Sequence, residues 1–202
     1  GERQDVDGSA YGVTCHDAFR IAVPVIDVPT YLNRLREILE ESQVRIHIRE
    51  IAGPDELVPD YDLVVNCTGV GAKDFAQDDG VFPIRGQIVR LSRPETLRES
   101  TRIYQKEDQF TLVLPRSDDL VLGGTAQVGS VDRTPDPDDT KMILERCAQL
   151  VPEIAEAEVL ESTVGLRPGR LEVRLELERL SSAAPVIHNY GHGGGGYTVA
   201  WG

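Results

Sequence analysis

The stretch VIHNYGHGGGGYTVAWG, residues 186–202, decides how the chain is read. Val186 to Tyr190 reads as a strand that leads into four unbroken glycines, Gly193 to Gly196. Glycines packed this closely strip the side chains from a short run of backbone. A ligand can then lie directly on the peptide groups, with bare N–H donors facing its polar atoms. Tyr197 to Trp201 follows as the opening of a helix. Strand, glycine loop and helix start together suit an anionic or carbonyl-rich cofactor.

Working outward, the pattern is mixed. Phe19 to Val25 is strand-like, with Pro24 marking a strand end or an edge. Asp27 can cap a helix with Pro29 in its first turn. Tyr31, Leu32, Leu35, Ile38 and Leu39 follow at helical spacing, with Arg34, Arg36, Glu37 and Glu40 on the other face. Val44 to Ile48 alternates as a half-buried strand. Tyr61 to Cys67 is a short apolar strand closed by Thr68-Gly69, of the kind whose C-terminal end meets a ligand in a parallel sheet. Ile84 to Leu91 is a further strand. Thr111–Leu114 and Leu120–Leu122 flank a polar hairpin turn, and Gly123-Gly124-Thr125 ends the second arm. Asp136 to Leu150 is a helix with Met142, Ile143, Cys147 and Leu150 directed inward. Val159 to Leu166 and Glu172 to Leu175 are strands. The fold class is therefore one α/β set of elements plus an α+β, largely antiparallel sheet.

Composition narrows the function. With 202 residues there is length for one large domain or two small ones. A net charge of −13 argues against nucleic-acid and anionic-membrane partners, both of which need a basic face. No apolar run approaches the roughly 20 residues of a membrane span. Cys15, Cys67 and Cys147 are far apart and contain no CxxC, so neither a disulfide framework nor a metal site is expected. A reducing, cytoplasmic compartment fits them.

Several motifs, taken in order, resemble the FAD-dependent D-amino acid oxidase family, which includes D-aspartate oxidase. They are IDVPTYL (26–32), NCTG (66–69), PIRGQ (83–87), LPRSDDLVLGGTAQ (114–127), GLRPGR (165–170) and VIHNYGHGG (186–194). They span most of the chain, and the bacterial members look closer than the animal ones. The resemblance implies oxidative deamination of D-amino acids to 2-oxo acids, ammonia and hydrogen peroxide. Hydride passes from the substrate α-carbon to FAD, and O2 reoxidises the flavin. It implies that Arg170 clamps the substrate carboxylate, a role that suits a planar fork of donors. Tyr104 and Gly194 complete the implied substrate set. Thr68, Gly69, Gly193, Gly194, Gly195, Gly196, Tyr197, Thr198 and the backbone of Ile51 are the implied cofactor contacts. No acid or base residue is implied, so His188 and His192 are expected to hold the glycine loop in shape. By this resemblance, residues 1–40 and 81–180 form an interleaved, mainly antiparallel substrate domain. Residues 41–80 and 181–202 belong to a partial, Rossmann-like FAD-binding domain. A homodimer is left open as the assembly.

Two departures from the family pattern stand out. The glycine-rich GxGxxG segment that opens the family and binds the pyrophosphate has no counterpart here, and the sequence stops at Trp201-Gly202 within a helix start, so the chain is expected to be truncated at both ends. Leu112 stands where the family usually has tyrosine. The alternative reading is a flavin-free remnant of the fold without activity. Within the oxidases, D-aspartate or glycine are alternative substrates, with Arg102, Lys106 or Arg116 available to pair with a side-chain carboxylate.

Overall fold

The computed structural model describes residues 2–57, 60–97, 101–107, 109–179 and 184–199. In chain order the elements are β1 (Gln4–Asp5), β2 (Phe19–Arg20), α1 (Val28–Glu41), β3 (Val64–Asn66), α2 (Ala72–Phe75), β4 (Phe82–Ser92), β5 (Arg102–Lys106), β6 (Gln109–Pro115), β7 (Asp119–Gly123), β8 (Gln127–Val128), α3 (Pro137–Leu150), β9 (Val159–Gly169), β10 (Arg174–Glu178) and β11 (Val186–Tyr190). The chain divides into two compact units, each made of three separate segments. The first is Gly1–His47, Gln87–Gly124 and Pro135–Thr163; the second is Ile48–Gly86, Thr125–Thr134 and Val164–Gly202. These dividing points fall elsewhere than at the 40, 80 and 180 drawn from the sequence.

In the first unit, β5, β6, β7 and the second half of β4 pair antiparallel in that order. The hairpin between β6 and β7 closes where Arg116 N–H donates to the Asp119 carbonyl at 2.9 Å. Helix α3 covers this sheet. Its Ile143, Cys147 and Leu150 join Val89, Leu91, Val113, Leu120 and Leu122 in one buried cluster. Asp136 caps the helix by accepting from Asp138 N–H at 2.8 Å. Buried Gln87 fixes the same end: its side chain donates to the Asp136 carbonyl and to Thr140 Oγ1 and accepts from Asp136 N–H, each at 2.8 Å. Burial pushes the Cys147 thiol up to about 11, which makes it an inert core group.

Three expectations fail in this unit. Met142 is not part of the core and stays partly exposed. The strand expected over Phe19 to Val25 is reduced to the two residues of β2. Val44 to Ile48 is not a strand: no partner pairs with it among the described residues, and Val44, Ile46 and Ile48 are exposed. Alternation marks which side chains share a face, but a strand also needs a neighbour to take its backbone donors and acceptors. Helix α1 does form where its signals place it, with Asp27 accepting from Thr30 N–H at 3.3 Å. None of its residues is buried, and Leu32, Leu35, Ile38 and Leu39 stay open.

In the second unit, β10, β11 and β3 form a three-stranded sheet. β10 and β11 are antiparallel; β11 and β3 are parallel, with Val186 opposite Val64 and His188 opposite Asn66. Alternation is clean: Val186, His188 and Tyr190 are buried, as are Val64 and Asn66, while Val65 faces outward. The first half of β4 pairs with β8. Buried Arg85 ties down the following segment through Gln127 Oε1 at 2.8 Å, the Asp132 carbonyl at 3.0 Å and the Thr134 carbonyl at 2.8 Å. Arg85 and Gln87 explain the RGQ motif as two anchors that satisfy backbone groups in loops.

Candidate functional site

The site residues read from the sequence fall in the second unit, with one exception. β3 and β11 are parallel neighbours, so both reach their C-terminal ends at the same edge of the sheet. Thr68-Gly69 follows one and the glycine run follows the other. The carboxyl edge of parallel strands is where open α/β sheets place their ligands.

Thr68 is held by Asn66, whose Oδ1 accepts from the Thr68 backbone N–H at 3.1 Å and from its hydroxyl at 2.7 Å. A backbone N–H can only donate, which fixes the Asn66 amide orientation. Its Nδ2 therefore donates to His188 Nδ1, 3.1 Å away. The His188 proton then sits on Nε2 and points at Glu178 Oε2 at 2.8 Å. His188 thus stitches three strands together across the buried face, and it is His192 that serves the loop, through a carbonyl accepting from Gly195 N–H at 2.9 Å.

Three motifs converge on Pro168. Gly69, at a φ of 61°, packs against its ring; a Cβ on Gly69 would sit 3.9 Å from Pro168 Cγ. The Pro168 carbonyl accepts from Gly193 N–H at 2.7 Å. The neighbours of Pro168 are fixed as tightly. Arg167 lies over Gly86, where any Cβ would overlap its guanidinium, and donates to the Thr125 carbonyl at 3.1 Å. Gly169 lies against the Phe82 ring, again with no room for a side chain.

The glycine run is bare. A Cβ at Gly193 or Gly196 would meet nothing within 4 Å, and at Gly194 only the Arg167 stem at 3.7 Å. Gly193 has a φ of 56°, and Val199 N–H donates to the Gly195 carbonyl at 3.1 Å, so one helical turn begins over Gly195–Val199. Trp201, expected to continue that helix, lies outside the described residues. An open strip of peptide at the carboxyl edge of a parallel pair fits the flat, polar-edged ring of a flavin. Ile51 is half-buried in an irregular segment of the same unit.

Arg170 closes this cluster. Its Nε donates to Asp78 Oδ2 at 3.1 Å and its Nη1 to the Glu172 carbonyl at 2.8 Å. Asp78 also accepts from the Tyr190 hydroxyl at 2.7 Å and from Gly80 N–H at 2.9 Å. Burial pushes the Asp78 carboxyl up, but the bonds from Tyr190, Gly80 and Arg170 outweigh this and hold it below the ordinary carboxylate range. Arg174 donates to the Tyr190 hydroxyl at 2.7 Å, to Glu176 at 2.6 Å and to Glu178 at 3.2 Å. Asp78, Tyr190 and Arg174 were not picked out in the sequence as site residues.

The exception is Tyr104, which belongs to the first unit. Its hydroxyl donates to the Thr14 carbonyl at 3.1 Å and its ring packs on that unit's core. Two of the three cations considered for a second carboxylate are also engaged in that unit. Arg116 forks onto Asp119, and Arg102 donates to the Leu150 carbonyl at 3.3 Å. Among the described residues no group of acidic, histidine and cysteine side chains could hold a metal ion. No described helix is long and apolar enough to cross a membrane.

Residues 16–202 match the model of a family described as FAD dependent oxidoreductase, and the chain belongs to that family of enzymes. Among curated proteins it is 45% identical over 188 residues to a D-amino-acid oxidase of Rubrobacter xylanophilus, covering 93% of this chain and 57% of that protein. A human D-aspartate oxidase is 36% identical over 179 residues, covering 87% of this chain and 51% of that one. Among solved structures, a glycine oxidase from Geobacillus kaustophilus superposes with a TM-score of 0.57 at 27% identity, over 66% of this chain and 37% of its own. The chain spans about half the length of the curated relatives it matches.

Proposed function

We propose that the full-length protein oxidises D-amino acids to 2-oxo acids, releasing ammonia and hydrogen peroxide, with bound FAD supplying the hydride acceptor and O2 its reoxidation. The observation that carries this is the meeting of the NCTG, GLRPGR and glycine-run segments around Pro168 at one sheet edge. Backbone groups from Gly193 to Thr198, with Thr68, Gly69 and Ile51, would hold the flavin. Gly193 and Gly195 N–H already bond the Pro168 and His192 carbonyls and so fix the loop, and the other N–H groups of the run would stabilise the negative charge of the reduced ring. Arg170 would take the substrate carboxylate on its outer N–H groups, and the Gly194 backbone would complete the contact. Tyr104 remains the proposed second substrate contact, and a homodimer the proposed assembly. No side chain is required to remove a proton; fixing the α-carbon against the cofactor does the work. A neutral D-amino acid is the preferred substrate of this reading, with D-aspartate or glycine as the alternatives; of the three cations available for a second carboxylate, Arg116 is already forked onto Asp119. In this proposal residues 41–80 and 181–202 are the cofactor part and residues 1–40 and 81–180 the substrate part.

The test is to express the protein at the full length of its relatives. It should be yellow, with a flavin band near ~450 nm, and should release peroxide from D-alanine in preference to D-aspartate or glycine. A colourless product would overturn the proposal in favour of a flavin-free remnant of the fold, the alternative reading.

A further inference from the structure

The guanidinium of Arg170 is unusually confined for a side chain that stands at a ligand edge. Asp78 holds it from one side. That carboxylate is itself immobilised: its Oδ1 is fixed by Gly80 N–H in its own turn, and its Oδ2 collects Tyr190, Arg170 Nε and, at 3.6 Å, Arg174 Nη1. Its side chain is 9% exposed. Glycines wall the slot. A Cβ on Gly191, at a φ of 87°, would lie 2.8 Å from Arg170 Cβ, and one on Gly80 would lie 3.4 Å from Arg170 Nε. The two arginines near Asp78 are not equivalent. Arg174 is also balanced by Glu176 and Glu178, whereas Asp78 is the one carboxylate paired with Arg170 among the described residues. A guanidinium has five N–H donors. Nε and one on Nη1 are engaged, which leaves three uncommitted among the described residues, all at the outer end of the fork.

We propose that Asp78, supported by Tyr190, is a positioning residue that holds Arg170 in one orientation with its outer N–H pair free for an incoming carboxylate. The inference rests on the reading of Arg170 as the carboxylate clamp. The physical gain is pre-organisation. Arginine loses rotamer freedom when it binds a ligand, and here the fold has already removed that freedom. Without the Asp78 charge, the guanidinium would rotate away from its slot. Its charge would also be less compensated, so the defect would appear as a loss of carboxylate recognition with the chemistry of bound substrate intact.

Kinetics of the full-length protein with D-alanine and D-alaninamide, which lacks the carboxylate, test this. Asp78→Asn should raise KM for D-alanine about tenfold or more while kcat stays within about twofold, the signature of lost ground-state binding. KM for D-alaninamide should not move. Tyr190→Phe keeps the ring in the core and removes one donor to Asp78; it should shift the same constant in the same direction by a smaller factor. In the 202-residue chain, the Arg170 Nε–H resonance should be protected from exchange and lose that protection in Asp78→Asn. Unchanged KM for D-alanine in both variants, or an equal rise for both substrates, would overturn the positioning role. Arg170→Ala separates the two claims. If it raises KM for D-alanine while Asp78→Asn and Tyr190→Phe do not, the clamp stands and Asp78 falls. If Arg170→Ala itself leaves KM unchanged, the clamp falls first.

Discussion

Asp119 in the first unit and Asp78 in the second are both sunk below the surface, and each stands beside two arginines. Asp119 takes three guanidinium donors. Arg116 forks onto it at 2.7 and 2.5 Å, and Arg90 adds a bond at 2.6 Å and reaches Glu161 at 2.8 Å with its other end. The result closes the turn from Arg116 to Asp119 and seals one end of the β6–β7 hairpin. Around Asp78, Arg170 is held by its inner nitrogens and its outer N–H groups stay free. The same pair of residue types therefore makes a staple in one place and a presented donor in the other. What separates them is how many guanidinium donors the carboxylate takes: three hydrogen bonds at Asp119 and one at Asp78, where Tyr190 and Gly80 supply the others.

The contrast can be broken by substitution. Asp119→Ala removes three charge-assisted hydrogen bonds from a buried carboxylate and should cost about 2–3 kcal/mol, read as a lower urea midpoint of the 202-residue chain. Asp78→Ala should cost clearly less, because Arg174 keeps Glu176 and Glu178. Equal losses would mean that Asp78 is a staple too. Acid should act on both sites in the same sense. Hydrogen bonds from Arg116 lead in holding the Asp119 carboxyl below its ordinary 3.8, and Asp78 is also lowered. A folded-state value below the unfolded one gives stability that is present above 3.8 and is lost as pH falls through the folded values. Each unit of such a depression is worth about 1.4 kcal/mol. Urea midpoints measured from pH 5 down to pH 2 should fall, and Asp119→Asn should fall less steeply over that range; parallel curves would remove Asp119 as a source. The smallest effect belongs to Glu161, which is half exposed. Glu161→Gln should change stability by no more than about 0.5 kcal/mol, since Arg90 keeps its buried bond to Asp119.

Elements whose signals are local were legible in the sequence. Helix α3 has its cap at Asp136 and its apolar stripe within one segment, and the β6–β7 hairpin has its arms and turn within fifteen residues of chain. The candidate site was legible as motifs, and the structure gathers NCTG, GLRPGR and the glycine run. What escaped depends on distant partners. β5, with the polar sequence RIYQK, is a strand because β6 pairs with it. Val44 to Ile48 has the right alternation and lacks such a partner. Asp78 sits in QDDG, which reads as a solvated turn, and nothing local distinguishes it from Asp79. Its role comes from Arg170 and Tyr190, 92 and 112 residues further along.

The parallel pairing of β3 with β11 carries a consequence in time. Asn66 and His188 are 122 residues apart, so β3 leaves the ribosome long before the strand it needs. At about 5–20 residues per second, that interval is about 6–24 s. The segments of the first unit are all made once Thr163 has emerged, while the second unit must wait for Tyr190. Synthesis therefore favours an order in which the hairpin unit settles before the ligand-edge unit closes, around a strand held open until β11 arrives.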